Sequence, residues 1–104
     1  MLEYANVDKT TPFDVGATGS GTAATASSGS ATTTSPTEVL VGAGMTSGTF
    51  TGAGSGYTKR MITTPDGDIA EDRVVTATGS YAATAPGNGI WLMQLATFRA
   101  ATGP

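Results

Sequence analysis

The sequence predicts an all-β fold, an antiparallel β-sandwich of the jelly-roll type with about seven short strands. The first reason is composition: Thr, Gly, Ala and Ser occupy 20, 15, 16 and 8 of the 104 positions. The second is periodicity. No stretch repeats apolar residues at the spacing of a helix, whereas several short apolar or alternating runs lie between Gly and Pro residues.

The first third of the chain gives the weakest strand signals. Residues 2–7 and 22–28 are candidate strands. Residues 16–35 contain no large apolar side chain, so their composition suits either a polar, Thr-rich edge strand or a flexible loop. We favour the edge strand, because Ala and Thr alternate loosely there and a linker has no second domain to join.

Residues 38–45 predict a well-formed strand, since most of their side chains are apolar or small. Within them, Gly42 and Gly44 predict either a bend or the close approach of a facing sheet. Turn signals at residues 65–67 and 87–89 divide the second half of the chain into strands.

Residues 90–99 give the strongest strand signal. The first half of this run is apolar on both faces, which is typical of an interior strand between two packed layers. Residues 72–78 are rich in β-branched side chains and predict another strand. The remaining candidate strands are 46–51, 57–63 and 80–85.

The hydrophobic core is expected where these strands carry their bulky apolar side chains. A chain of 104 residues builds one such core, so we expect residues 1–104 to form a single β-sandwich domain. The predicted core residues are Val39, Leu40, Val41, Val74, Val75, Trp91, Leu92, Met93, Leu95 and Phe98.

Charge and hydropathy exclude several partners. The net charge is −3 and 12% of residues are charged, so the chain lacks the basic surface that binds nucleic acid or an anionic membrane. No apolar run approaches the roughly 20 residues that span a bilayer, so we expect no membrane insertion. A Cys-free, Lys-poor chain rich in small residues favours an extracellular or cell-surface location, with any secretion signal preceding Met1.

Enzyme chemistry is mostly excluded by residue type. Without His or Cys, the chain has no Ser-His-Asp or Cys-His arrangement and no zinc site of the usual kind. A glycosidase needs two carboxylates across a substrate cleft, and a chain of small side chains has little material for a cleft. We therefore predict a protein that is not an enzyme and that has no cofactor, apart from the calcium ion considered next.

The acidic cluster at residues 66–72 has two interpretations. Asp66, Asp68 and Asp72, with backbone carbonyls, supply the hard oxygen ligands that calcium prefers. The spacing does not match that of an EF-hand loop. The alternative, which we favour, is a solvated turn whose carboxylates pair with nearby basic side chains, Arg73, Lys59 or Arg60.

Two tyrosines are candidate ligand-binding residues. Tyr57 and Tyr81 are flanked by small residues, and exposed aromatic rings stack on sugars in carbohydrate-binding sandwiches. Trp91 lies in the most apolar strand and is assigned to the core. These two tyrosines make a polysaccharide a possible partner, although fold class is a weak basis for predicting a ligand.

A resemblance to a known family is carried by five segments around a Thr/Ser/Gly/Ala-rich tract. They are EYANV at 3–7, PFD at 12–14, TEVLVG at 37–42, EDR at 71–73 and WLMQLATFR at 91–99. In this order they resemble the C-terminal half of a bacterial secreted β-sandwich module, found in large surface and extracellular proteins and in some phage proteins. The resemblance implies a fold and no catalytic residues.

Half of a sandwich has a structural consequence. It leaves either an unpaired sheet edge or an uncovered apolar face, and such surfaces recruit other chains. We therefore predict a non-enzymatic extracellular structural module that self-assembles through its sheet edges into a homo-oligomer or filament. The alternative is a sandwich module that binds carbohydrate or another surface ligand.

Overall fold

A computed structural model describes residues 7–101. In that range the chain forms nine β-strands and no helix, so no helix is available there to cross a membrane. The prediction of an all-β fold is confirmed, with nine strands in the described residues where about seven were predicted. The strands are β1 (Phe13–Gly21), β2 (Thr25–Ser27), β3 (Ala31–Thr32), β4 (Glu38–Thr46), β5 (Thr58–Ile62), β6 (Ile69–Val75), β7 (Ser80–Tyr81), β8 (Thr84–Pro86) and β9 (Trp91–Arg99).

Five strands form one antiparallel sheet in the order β1-β9-β4-β6-β5. Strand β4 lies at its centre and pairs with β9 over its whole length, from Glu38 opposite Arg99 to Thr46 opposite Trp91. The edges of the sheet are β1 and β5, and each contains a bulge.

The second layer is a narrower ribbon. Strand β2 pairs with β8, and β3 pairs with β7. Between these two ladders the Ser28 amide donates to the Ala83 carbonyl at 2.9 Å, so residues 25–33 run antiparallel to residues 79–86 as one irregular ribbon. Phe50 attaches to its end through a bridge to Gly87. The sheet and the ribbon together make the β-sandwich.

The core lies between the sheet and the ribbon. Five of the predicted core residues are buried there: Leu40, Val75, Trp91, Met93 and Leu95. The prediction missed Phe50 and Ile69, which are 3% and 4% exposed. The ribbon adds small residues to the same cluster, namely Ala26, Ala31, Ala83 and Ala85.

The other half of the predicted core points away from the ribbon. Val74 is 65% exposed, so its assignment to the core was wrong. The four remaining residues are only half-buried: Val39, Val41, Leu92 and Phe98. Side chains alternate between the two faces of a strand, and within residues 7–101 only one face of the sheet is covered by another layer.

The glycines of β4 confirm the predicted close approach of the facing layer. A Cβ atom at Gly42 would lie 2.9 Å from the Ala83 Cβ and 2.9 Å from Glu71 Oε2. A Cβ atom at Gly44 would lie 2.9 Å from the Phe50 ring. The ribbon can approach the centre of the sheet because β4 has no side chains at these two positions.

Residues 16–35 are divided between the two layers. Residues 16–21 form most of β1, which is an edge strand as expected, and the rest supplies β2 and β3. The predicted strand at residues 46–51 was wrong, since only an isolated bridge forms there. Of the predicted strand at 2–7, only Val7 lies within the described residues, where it bridges Ala100.

Candidate functional site

One face of the five-stranded sheet has no covering layer in the described part of the chain, and we call it the open face. Directly paired residues point to the same side of a sheet, so its side chains lie in rows across the strands. In order along the strands, these rows are Phe13, Phe98, Val39 and Val74; then Gly16, Ala96, Val41, Asp72 and Thr58; then Thr18, Gln94, Ala43, Ala70 and Met61; then Ser20, Leu92 and Met45.

The first row is a continuous apolar ridge across four strands. Phe13 and Phe98 pack edge to face, with ring centroids 6.1 Å apart. Val39 lies half-buried beside Phe98. Phe13, at 54% exposure, and Val74, at 65%, end the ridge on its two sides. Exposed apolar side chains that lie together, rather than scattered singly, are typical of an interaction surface.

The next two rows are lower than the ridge. Between Phe13 on one side and Gln94 on the other lies a depression of about 510 Å³. Its floor consists mainly of small residues, including Gly16, Ala43 and Ala96. The face rises again at Met45, which is 56% exposed. The open face therefore has a ridge, a depression and a second raised margin.

Charge is almost absent from the open face. Among the described strand residues, Arg60 and Asp72 are the charged side chains on this side of the sheet, and they form an ion pair at 2.7 Å. The pair lies where β5 meets β6. The three strands β1, β9 and β4 thus present an uncharged surface to the surroundings.

The edge of the sheet at β1 is a second candidate surface. The Arg99 amide donates to the Pro12 carbonyl at 2.7 Å, so Arg99 directs its backbone groups towards the β1 side of β9. In regular antiparallel pairing, the alternate residues of β9 do the same. Ala17 and Gly19 pair with Leu95 and Met93, so the backbone groups of Ala17 and Gly19 point towards β9. The amides of Thr18 and Ser20, which alternate with them, point away from the sheet.

The opposite edge, at β5, differs in length and charge. It has five residues where β1 has nine, and its bulge lies between Lys59 and Met61. Short length, bulges and charged side chains all discourage the addition of a further strand. The outer edge of β1 has no paired strand within residues 7–101 and carries neither Lys nor Arg.

A buried acid pair lies where β1, β4 and β9 meet, and no pattern in the sequence predicts it. The carboxyl groups of Asp14 and Glu38 interact, although 24 positions separate them in the chain. Glu38 Oε2 accepts a hydrogen bond from the Ser35 amide at 3.1 Å, whereas Oε1 has no hydrogen-bond partner among the described residues. Burial and the contact with Asp14 raise the pKa of Glu38.

Asp14 is the ionised member of the pair. Burial opposes its ionisation, but the neighbouring Glu38 carboxyl group, hydrogen bonds from Thr34 and the charge of Arg99 lower the pKa of Asp14 to about 2. The Nη2 atom of Arg99 lies 2.8 Å from Asp14 Oδ1, and its Nη1 atom donates to the Phe13 carbonyl at 2.7 Å. These contacts fix the start of β1 against β9.

Glu71 is a second buried carboxyl group, on the covered face of the sheet. The Gly54 amide donates to Glu71 Oε1 at 3.0 Å, and Oε2 has no partner among the described residues. Burial raises the pKa of Glu71 to about 7, against the opposing effect of the Gly54 hydrogen bond. The carboxyl group lies over Gly42, where a side chain would collide with it.

The predicted calcium ligands do not come together. Within residues 7–101, no three acidic side chains are close enough to hold a metal ion. Asp72 accepts two hydrogen bonds from Arg60, at 2.7 and 2.9 Å, and Asp68 accepts one from the Thr46 amide at 3.1 Å. Asp66 is exposed. Pairing of Asp72 with Arg60 is the contact that the alternative interpretation expected.

The two candidate tyrosines are used within the fold. The Tyr57 hydroxyl donates to the Ala82 carbonyl at 3.0 Å, and burial, with the nearby charge of Glu71, raises the pKa of Tyr57 to about 12. The Tyr81 hydroxyl donates to a carbonyl in its own turn at 2.7 Å. The Arg73 guanidinium lies 5.2 Å from the centre of the Tyr81 ring. Both rings are half-buried against the core.

Sequence reasoning expected either an unpaired sheet edge or an uncovered apolar face, but it assigned the bulky residues of the open face to the core. Residues 38–45 and 90–99 carry bulky apolar side chains on both sides of the strand. We interpreted this pattern as a strand buried between two layers. The pattern is identical when one of the two layers is not part of the described chain.

Comparison of this chain with models of protein families, with curated proteins and with solved structures finds no match. The functional argument therefore depends on the surfaces that the chain itself presents.

Proposed function

We propose that the protein is a non-enzymatic structural module that self-assembles through its β-sheet edge, outside the cell or on its surface. The observation that carries the proposal is the outer edge of β1, nine residues long, uncharged after Asp14 and without a paired strand in the described residues. Such an edge presents a row of backbone donors and acceptors to another chain.

The geometry favours pairing between two copies of β1. Two antiparallel β1 strands related by a twofold axis join two five-stranded sheets into one continuous sheet, and each copy uses the same surface. The exposed residues of this strand include Gly16, Thr18 and Ser20, all small enough to let another backbone approach. The extracellular location rests on the Cys-free composition and on the resemblance to secreted modules.

Proline at position 18 tests the proposal. The amide of Thr18 points away from β9, so Thr18→Pro removes it without removing a hydrogen bond to β9. Proline is tolerated at such edge positions. Thr18→Val keeps that amide and is the matched control. Ala17→Pro removes an inward amide opposite Leu95, so it should destabilise the fold and confirm the direction of the backbone groups.

The readout is the mean mass by light scattering after gel filtration, with urea unfolding of each variant. We expect the wild type and Thr18→Val to associate at high micromolar concentration. Thr18→Pro should have a lower mean mass and an almost unchanged unfolding midpoint. A wild type that stays monomeric, or a Thr18→Pro variant with unchanged mass, contradicts assembly through the β1 edge.

A further inference from the structure

We propose that the open face is a second, separate assembly surface, which packs against the open face of another copy of this chain. The inference does not depend on pairing at the β1 edge, because the side chains of the face point at right angles to the backbone groups of that edge. The proposed partner of these exposed apolar residues is the same apolar surface on a second copy of the chain.

The area of the face suits such a contact. Five strands at a spacing of about 4.8 Å, with 39 residues in all at about 3.3 Å per residue, give the face roughly 600 Å². Stable interfaces between proteins bury about 800 Å² on each partner. The flat area of the face is therefore close to that of a stable dimer interface, and its projecting side chains add to the area that a partner can cover.

Charge and shape also favour a second copy. Two copies of a strongly charged surface repel each other, but β1, β9 and β4 present no charge on this side and the Arg60–Asp72 pair is internally neutral. The ridge of Phe13 and Phe98 on one copy matches the depression of about 510 Å³ on the other. A twofold axis places each ridge in the other copy's depression, so both contacts form at once.

The face is five strands wide. A covering layer of matching width, apolar and uncharged, is what another copy of this sheet supplies.

The test introduces charge into the open face at its two most accessible margins. Val74→Lys combined with Met45→Lys changes side chains that are 65% and 56% exposed, so the fold should tolerate both. Thr78→Lys, in an exposed loop away from the sheet, is the charge control. Each change is made in the wild type and in the Thr18→Pro background, where pairing through the β1 edge is weakened.

Sedimentation equilibrium over a range of concentrations measures the association in each background, and urea unfolding verifies the fold. We expect the Val74→Lys, Met45→Lys variant to associate at least about tenfold more weakly than its parent in both backgrounds. Thr78→Lys should associate like its parent. Thr18→Pro alone should still form dimers, because it replaces one small side chain at the margin of the open face and leaves the ridge of Phe13, Phe98 and Val39 unchanged.

The outcomes separate the two proposals. If Thr18→Pro is monomeric at every concentration, the face contact is overturned and the edge contact stands. If the two lysines reduce the mass but Thr18→Pro does not, the edge contact is overturned and the face contact stands. A charged variant that associates as tightly as its parent, or a monomeric wild type, overturns the face proposal.

Discussion

The two faces of the five-stranded sheet are built from the same strands, but within residues 7–101 one face is covered by the ribbon and the other is not. On the covered face, Met93 and Leu40 are fully buried beneath the ribbon. On the open face, their neighbours in sequence, Leu92 and Val39, have no covering layer within residues 7–101 and remain half-exposed. A single alternating run thus supplies both a core and an exposed apolar surface, and only the position of the second layer distinguishes them.

The covered face also shows what close packing requires. The ribbon approaches β4 where Gly42 and Gly44 have no side chains, and it encloses the Glu71 carboxyl group. The open face has no ribbon packed against it within residues 7–101 and carries the larger exposed side chains. We therefore expect substitutions on the covered face to change stability, and substitutions on the open face to change association.

The largest expected effect is at Trp91. Trp91→Ala removes a side chain that is 8% exposed and loses the hydrogen bond from Nε1 to the Ala23 carbonyl. It should lower the free energy of unfolding by about 3–5 kcal/mol. Leu92→Ala, one residue along on the open face, should cost less than half as much. Urea unfolding of dilute protein compares the two, and equal costs would contradict the difference between the faces.

The pH dependence of stability should reveal Glu71. Its pKa is about 7 in the folded protein against an ordinary value of 4.5, so the folded state binds the proton more tightly. The corresponding stabilisation, roughly 3 kcal/mol, is complete below about pH 4.5 and is lost as the pH rises to 7.

Glu71→Gln removes the ionisable group and should flatten the decline in stability between pH 5 and 7. Unfolding midpoints of the wild type and the variant across that interval give the measurement. Asp68→Asn is the control, because it changes a carboxyl group near the end of the same sheet that is not fully buried. If the wild type and Glu71→Gln have parallel profiles, Glu71 is not the group that titrates.

Gly42→Ala tests the close approach of the ribbon. The added Cβ atom would meet the Ala83 Cβ at 2.9 Å, so either the ribbon or the strand must shift. The expected loss is about 1–3 kcal/mol of unfolding free energy. Ala43→Val, which adds more bulk on the open face, should change that free energy by less than about 0.5 kcal/mol in dilute protein. A Gly42→Ala variant as stable as the wild type would show that the two layers are not in close contact.

The smallest effect is expected at Val74, next to a residue of the same type in the core. Val75→Thr places a hydroxyl group in a site that is 5% exposed and should cost about 1–3 kcal/mol. Val74→Thr makes the same change at 65% exposure and should cost less than about 0.5 kcal/mol. Thermal unfolding of both variants measures the two costs. A larger cost for Val74→Thr than for Val75→Thr would show that Val74, and not Val75, points into the core.

The sequence was sufficient for the fold class, because strand periodicity and turn residues are local signals. Residues 38–45 and 90–99 were located to within one residue at each end. The second layer was harder to predict, since the ribbon is built from Ala, Ser and Thr in strands of two or three residues. Such short strands are held by the opposite layer, which no local pattern specifies.

The site was less predictable than the fold, for the same reason. The Asp14–Glu38 pair depends on the order of strands in the sheet, which brings β1 and β4 to either side of β9. No spacing in the sequence encodes that contact. Within residues 7–101, the absence of a cover over Val74 and Phe13 is also a property of the assembled layers, so the apolar pattern alone assigned Val74 to the core.

Oxidation of three methionines by dilute hydrogen peroxide tests the central difference between the faces most directly. Met45 and Met61 are each 56% exposed on the open face, whereas Met93 is fully buried on the covered face. In dilute protein we expect Met45 and Met61 to oxidise quickly and Met93 slowly, as mass spectrometry of peptides reports. At high concentration the oxidation of Met45 and Met61 should slow as the open faces pair. Rapid oxidation of Met93 would contradict the covered face, and rates at Met45 and Met61 that do not depend on concentration would contradict the pairing of open faces.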